Sequence, residues 1–471
     1  MRNAGRQRSS GRRGRERGSA LIVTTVLVGI AMVFAAATLA HTGAKASYIE
    51  GHIRSTRAFY AAEAGLEEVK YRVRSSAYDA QGNIWLRNNS SPGGTHAIAA
   101  LAVGAATVDV WIYELGTGWH RVEATGRAGS ETFRLAMEVT DRDPFSRYMF
   151  FTHLDDINFG TSTVRGDVHS NRRVNFYYGG AVMYGNVTAS RGIGFYSGAS
   201  WQNTTFFKEV DGSVAPIPWP KTSEIATLKQ DAEGPYKVSN DSPFYQGLGN
   251  FRTELELLGD LVRIRTRRAS TGQVLTDATY PLPANGLIYV EGPITSLKGD
   301  IAGRLTIATL DRVDITGKIR YVDADGDPAY LLYRYGEPVP GGDTPPGVAW
   351  SAAAGYSYEQ NPAYDPAVPS TLGIMALNDI TVTSAAPYNM ELHAAIFSSQ
   401  GNWHCDLSQR KGNLRVVGSM TQKLGGWRYD SRGYGWAQSG EYIYDEALLT
   451  HPPAFFLEAK TPVFASWRRG A

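Results

Sequence analysis

The chain has 471 residues, 43% hydrophobic and 20% charged, an ordinary globular composition with room for two or three domains. Its net charge of +2 is uneven: seven arginines and one glutamate give residues 1–18 a net +6, so the body is mildly acidic and poorly suited to nucleic acid, whose phosphates need clustered Lys and Arg. The single cysteine, Cys405, excludes an intrachain disulfide and any CxxC zinc or redox site.

Ser19 to Ala40 contains no charged residue and opens with Ala20-Leu21-Ile22-Val23-Thr24-Thr25-Val26-Leu27. About 20 apolar residues span a bilayer as a helix. The arginines just before it favour a cytoplasmic leader and an exported body. Three readings fit this segment. A cleaved signal peptide would use Ala35-Ala36-Ala37 loosely as its processing site. A plain signal anchor would stay intact. The junction Arg17-Gly18-Ser19-Ala20-Leu21, a glycine after basic residues and before the apolar run, has the layout of a prepilin cut after Gly18 to leave Ser19 first.

Past the apolar run, Phe59, Ala62, Leu66, Val69 and Val73 recur at spacings of three and four, one stripe of an amphipathic helix. A single helix over 19–74 would be about 84 Å long at 1.5 Å per residue. Arg17-Gly18-Ser19-Ala20-Leu21-Ile22-Val23 and the segment Arg57-Ala58-Phe59-Tyr60-Ala61-Ala62-Glu63-Ala64-Gly65-Leu66 resemble the N-terminal domain of PilX-type minor pilins. They are also similar to the K-type minor pseudopilins of type II secretion. The resemblance implies prepilin-peptidase processing at Gly18 and Ser19 and a place in a pilus or pseudopilus. Major pilins carry Glu at mature position five, where this chain has Val23, so the resemblance implies a minor or tip subunit.

Residues 106–113, 119–125 and 132–140 alternate apolar and polar positions around glycine turns, which predicts a three-strand β-meander. From 143 onward a loose unit of apolar, Gly, variable, apolar recurs. Examples are Val164-Arg165-Gly166-Asp167-Val168, Tyr184-Gly185-Asn186-Val187, Val290-Glu291-Gly292-Pro293-Ile294, Ile315-Thr316-Gly317-Lys318-Ile319 and Val417-Gly418-Ser419-Met420. Short apolar strands with glycine corners predict stacked rungs of a β-solenoid, since each rung has a face that only its neighbours cover. A β-sandwich is the alternative. Residues 215–285 and 336–370 are expected to be surface excursions. Arg165-Gly166-Asp167-Val168-His169-Ser170-Asn171, Leu372 to Ile380, His393 to Phe397, Gly418 to Lys423 and Tyr444 to Pro453 resemble a bacterial extracellular domain of unknown function (DUF4900), which implies no activity.

Catalytic signatures are sparse. Neither G-x-S-x-G nor H-E-x-x-H occurs. Asp167 and His169 share a strand face, as a dyad or as part of a polar ladder. His393, His404 and Cys405 are metal-ligand residue types, but adjacent 404 and 405 point to opposite faces. Asp323-Ala324-Asp325-Gly326-Asp327 alternates carboxylates in a turn, which suits calcium's preference for oxygen. The glycine stands fourth, not sixth, and Arg334 holds the twelfth place, so this is no EF-hand; a solvated acidic turn is the other reading. The aromatics Trp427, Tyr429, Tyr434, Trp436, Tyr442 and Tyr444 either stack on a partner or close the end of the domain.

The expectation is an α+β protein: a leader over 1–18, a transmembrane and amphipathic helix over 19–74, a small meander head over 75–142 and a large β-rich domain over 143–471. Its expected function is that of a non-enzymatic minor pilin or pseudopilin-like subunit, single-pass in the inner membrane with the body outside the cytoplasm. Expected partners are other pilins or pseudopilins, the prepilin peptidase and the membrane, with no nucleic acid and no cofactor beyond the calcium candidate. A membrane-anchored envelope scaffold and a β-helical enzyme acting on polysaccharide are the competing functions.

Overall fold

The computed structural model describes residues 13–76, 78–79, 82–116, 119–140, 143–245, 249–339, 356–365, 369–428, 432–436, 440–459, 463–464 and 468–469. It comprises a long apolar N-terminal helix, a small antiparallel sheet and a large mainly-β region. Two compact units emerge, 1–141 with 462–471, and 142–461.

In the first unit, α1 runs from Arg13 to Ser75. Residues 21–50 are exposed along their whole length. An 18-residue window of mean hydropathy 2.4 lies there, none of it buried, so this helix is long and apolar enough to cross a membrane. The hydroxyls of Thr25, Thr38 and Thr42 each donate to the carbonyl four residues back, at 2.8 Å. Internal bonds of this kind satisfy a hydroxyl where no water is available.

The second half of α1 behaves differently. Ala58, Ala61, Ala62, Leu66, Val69 and Val73 are buried, and Phe59 packs edge-on against Phe133 at 5.2 Å. These residues lie on a sheet of β1 (Thr95–Val103), β2 (Ala106–Gly116), β3 (Trp119–Ala128) and β4 (Glu131–Thr140), antiparallel in that order. Val108, Val110, Ile112, Val122, Leu135, Met137 and Val139 fill its helix-facing side. Small residues set the approach. A side chain at Gly65 would lie 2.7 Å from Val108 Cγ2, and one at Gly126 would run into the Ala58 carbonyl and the Ala62 amide. The alanine-rich stretch of α1 thus lets helix and sheet backbones meet closely.

β1 adds a strand to the expected meander. Its alanine-rich sequence does not alternate, its register slips twice against β2, and Ala100 takes a positive φ of 45°; such bulges erase the period-two signal. The chain end also returns to this unit: Val463–Phe464 and Arg468–Arg469 pair antiparallel with β4. The region expected over 143–471 therefore gives 463–464 and 468–469 to the small sheet of the first unit, a return that two-residue strands cannot signal in sequence.

In the second unit the sheet is built mainly from parallel pairs. Residues 237–238, 287–290, 304–309, 371–376, 390–398 and 414–422 form one ladder. A second ladder passes through 251–259, 294–301, 313–321, 380–382 and 403–405. Alternating side chains meet in a core that includes Leu297, Ile307, Ile315, Ile374, Ile396 and Val416. Other faces of the same strands are covered too: Tyr289, Met375, Phe397 and Phe151 pack with Ile225 and Leu228 of the helix Thr222–Asp231. Strands buried on both faces read as unbroken apolar runs.

Spatial order in this ladder does not follow sequence order. Five strands define the join: β5 (Tyr148–Thr152), β6 (Thr163–Arg165), β7 (Asp167–Ser170), β8 (Leu414–Gln422) and β9 (Gly440–Tyr444). The first half of β8 pairs with β9 and its second half with β5. β9 and β5 in turn pair with β6 and β7. The unit's last ladder strand and its first one therefore lie end to end in one row. From there the ladder continues through 182–183 and 187–189 to 205–206 and 210–211. The chain enters mid-ladder, runs to one end, crosses to the other along the helix at 222–231, and builds back to its starting point.

Residues 251–281 differ from the expected polar excursion. They form an antiparallel three-strand hairpin continuous with the ladder. Leu255, Leu257, Val262 and Ile264 point into the core. Their polar neighbours pair outward, Arg263 with Asp277 at 2.7 Å and Arg267 with Glu254 at 2.6 Å. Those charged residues disguise two half-buried strands as a polar stretch.

Candidate functional site

The join between β5 and β9 opens a cleft of about 960 Å³. Chain entering β5 contributes Arg147; chain leaving β9 contributes Tyr444, Asp445, Glu446 and His451. Neighbouring rows add Arg165, Asp167, Tyr184 and Lys208, and the far wall carries Tyr321, Tyr330 and Tyr364. Gly166 is what lets the rows close here. Its φ of +140° is open to glycine almost alone, and a side chain there would strike Tyr444 Cβ and lie 2.9 Å from Met149 Cβ.

Asp445 is the most perturbed acid in the cleft. Its Oδ1 accepts from the Ala447 amide at 3.0 Å. Its Oδ2 is sealed from solvent and has no hydrogen-bond partner. Burial pushes its pKa up to about 6; the Ala447 amide pulls it down and the like charge of Glu446 pushes it up. Burial, with the charge of Asp445 behind it, also raises the phenols of Tyr321 and Tyr330, so they stay protonated donors. Tyr364 accepts from the Ser370 amide at 3.1 Å. Elsewhere on the lining the Arg165 guanidinium lies 5.1 Å over Tyr184, which stacks on Phe207 at 4.7 Å.

A buried polar network supports the tyrosine wall. The Tyr321 amide donates to His393 Nδ1 at 3.0 Å, which leaves Nε2 to donate to the Tyr358 hydroxyl at 2.8 Å. Tyr358 donates to Glu391 at 2.9 Å, and Glu391 pairs with Lys318 at 2.7 Å. Tyr330 stacks on Tyr358 at 5.5 Å, and the Arg415 guanidinium covers Tyr358 at 4.4 Å. Burial drives the His393 pKa down to about 3, so the ring is neutral.

Of the residues singled out from sequence, Asp167 and Tyr444 line the cleft; the others fall elsewhere or into structural roles. Asp323 Oδ1 accepts from the amides of Asp325 and Asp327 at 3.0 and 2.9 Å, and its Oδ2 from the Asp365 amide at 3.2 Å. Its carboxylate organises the turn, while Asp325 and Asp327 are exposed. Among the described residues no group of three or more His, Cys, Asp or Glu could hold a metal ion. Asp167 bonds Asn186 rather than His169. His169 is buried between Thr188 and Asn171, both at 2.9 Å, as part of a polar ladder. His404 bonds Asn402 at 2.7 Å, and Cys405 is buried in the core. Trp436 and Tyr442 are buried, Trp427 is 64% exposed, and Tyr429 lies outside the described residues. Gly18 and Ser19 are part of the α1 backbone; the Ser19 side chain, and residues 1–12, lie outside what the structure describes.

The cleft itself was missed in sequence. Its residues are scattered from 147 to 451, and no spacing connects them. The one local signal was Tyr444-Asp445-Glu446, an acidic pair against an aromatic at the end of an apolar strand.

No family model matches the sequence, and no curated protein matches it. Among solved structures, the competence-associated pilin ComZ from Thermus thermophilus aligns with 88% of this chain and 98% of that chain, at 15% identity and a TM-score of 0.33. A likeness at that level decides neither fold nor function.

Proposed function

We propose that this chain is a minor pilin-like subunit, anchored by α1, whose β domain is a solenoid inserted between β4 and the terminal strands of the small sheet. The observation that carries the reading is the division of α1. Its first half is apolar and uncovered by protein; its second half is seated through small residues on an antiparallel sheet. A helix so divided is suited to lipid or to other such helices at one end and to a displayed head at the other. Type IV pilins and type II pseudopilins are built on this plan, and the residues at 17–23 and 57–66 resemble their minor members. In this reading the prepilin peptidase cuts after Gly18, and the bare half of α1 packs among other subunits' helices after release from the inner membrane.

The test is N-terminal sequencing of protein purified from membranes that contain the peptidase. The mature chain should begin at Ser19. Recovery of residues 1–18 on the assembled protein would refute the assignment.

A further inference from the structure

We propose that the cleft between β5 and β9 binds a neutral, hydroxyl-rich saccharide, held by Asp445 and Arg165 over the tyrosine wall. Three observations carry it. First, the cleft sits at the upper end of the usual small-ligand range of about 300–1,000 Å³, with room for several linked rings. Second, its charges are mixed. Asp445 and Glu446 repel an anionic guest, while Arg165 and Lys208 on the same lining repel a cationic one. A guest whose groups both donate and accept meets both kinds of residue without a charge of its own. Third, Asp445 Oδ2 lacks a donor, and a buried acceptor left unpaired is costly enough to call for one. The carboxyl meets a guest by turning about Cβ–Cγ, a broad torsion in aspartate, and exchanges the Ala447 bond for the guest's in doing so. A sugar hydroxyl can then donate to Asp445 while another accepts from Arg165. A C–H face of the ring lies against Tyr330, the half-buried member of the tyrosine wall, as an aromatic ring with a polar tip allows.

The inference does not depend on membrane anchoring or filament assembly. The experiment uses the full chain in lipid nanodiscs, so that no glycoside detergent competes. Fluorescent maltotetraose, cellotetraose and chitotetraose are titrated by anisotropy, with fluorescent tetralysine as a cationic peptide. At least one saccharide should bind saturably at millimolar concentration or below. Asp445→Ala should weaken it about tenfold or more, as loss of a hydrogen bond to a charged group does; Trp427→Ala, at an exposed aromatic outside the cleft lining, should not. Arg165→Ala changes an exposed side chain and serves if Asp445→Ala fails to fold. Saturable binding of none of the three saccharides, binding of tetralysine in their place, or saccharide affinity untouched by the cleft variants would overturn the proposal.

Discussion

The Thr421 hydroxyl donates to the carbonyl of Phe145 at 3.1 Å, across 276 positions of sequence. One strand register further, Met420 pairs with Phe150. The last long strand of the second unit is thereby fastened to that unit's first ladder strand, and the cleft lies beside this join.

Glycine at this join is required by conformation as well as space. Gly418 has φ +140°, and a side chain there would strike the Ala394 carbonyl. Gly418→Val should destabilise the second unit by at least about 2 kcal/mol, the sum of backbone strain and overpacking. A urea midpoint close to wild type would show that the row tolerates a side chain.

Gly126 plays the corresponding part in the first unit, against the backbone of α1. Gly126→Leu should separate helix from sheet and cost about 1–3 kcal/mol or more. The partner substitution Gly93→Ala, at a turn with nothing near its Cβ and no positive φ, should stay within about 1 kcal/mol of wild type. Thermal melts of the two variants give the comparison.

Glu391 is 3% exposed and bound to both Lys318 and Tyr358. Breaking a buried pair by removing one member costs about 3–5 kcal/mol, whereas replacing both with apolar groups is often near neutral. Glu391→Leu alone should therefore be severe, and Glu391→Leu with Lys318→Met should recover much of the loss. An additive double-mutant cycle would contradict the coupling.

Asp445 gives stability a distinctive pH dependence. Its native pKa of about 6 lies above the unfolded value near 3.9. Between these values the native state binds more protons, so its contribution to stability falls as pH rises from about 4 to 6 and is constant above. The size is at most about 3 kcal/mol. Neutral His169 and His393, with native pKa values pushed down by burial to about 4 and 3, act oppositely and favour folding as pH rises. The Asp445 part is therefore read as wild type minus Asp445→Asn. A difference that does not vary between pH 4 and pH 7 would rule out the raised pKa.

Cys405 is 1% exposed, and burial raises its thiol pKa. The thiolate is the reactive form. Iodoacetamide should label it only as fast as the second unit unfolds; rapid labelling of folded protein would place the thiol at a surface.

Local periodicity determined α1 and the three alternating strands of the meander, because Leu66, Val69 and Val73 or Val108, Val110 and Ile112 need only their near neighbours to declare a face. It also marked the glycines at 166, between β6 and β7, and at 418, within β8, since a positive φ is a one-residue requirement. It could not reveal β1, whose bulges break alternation, nor the hairpin at 251–281, whose outward arginines outweigh its inward leucines by composition. The order of the parallel rows was beyond sequence altogether. Parallel pairing is set by which apolar faces cover one another, and Met420 meets Phe150 through no pattern that either segment carries. The cleft, with Asp445 among tyrosines from 321 to 364, exists only because tertiary packing brings the unit's first and last ladder strands into one row.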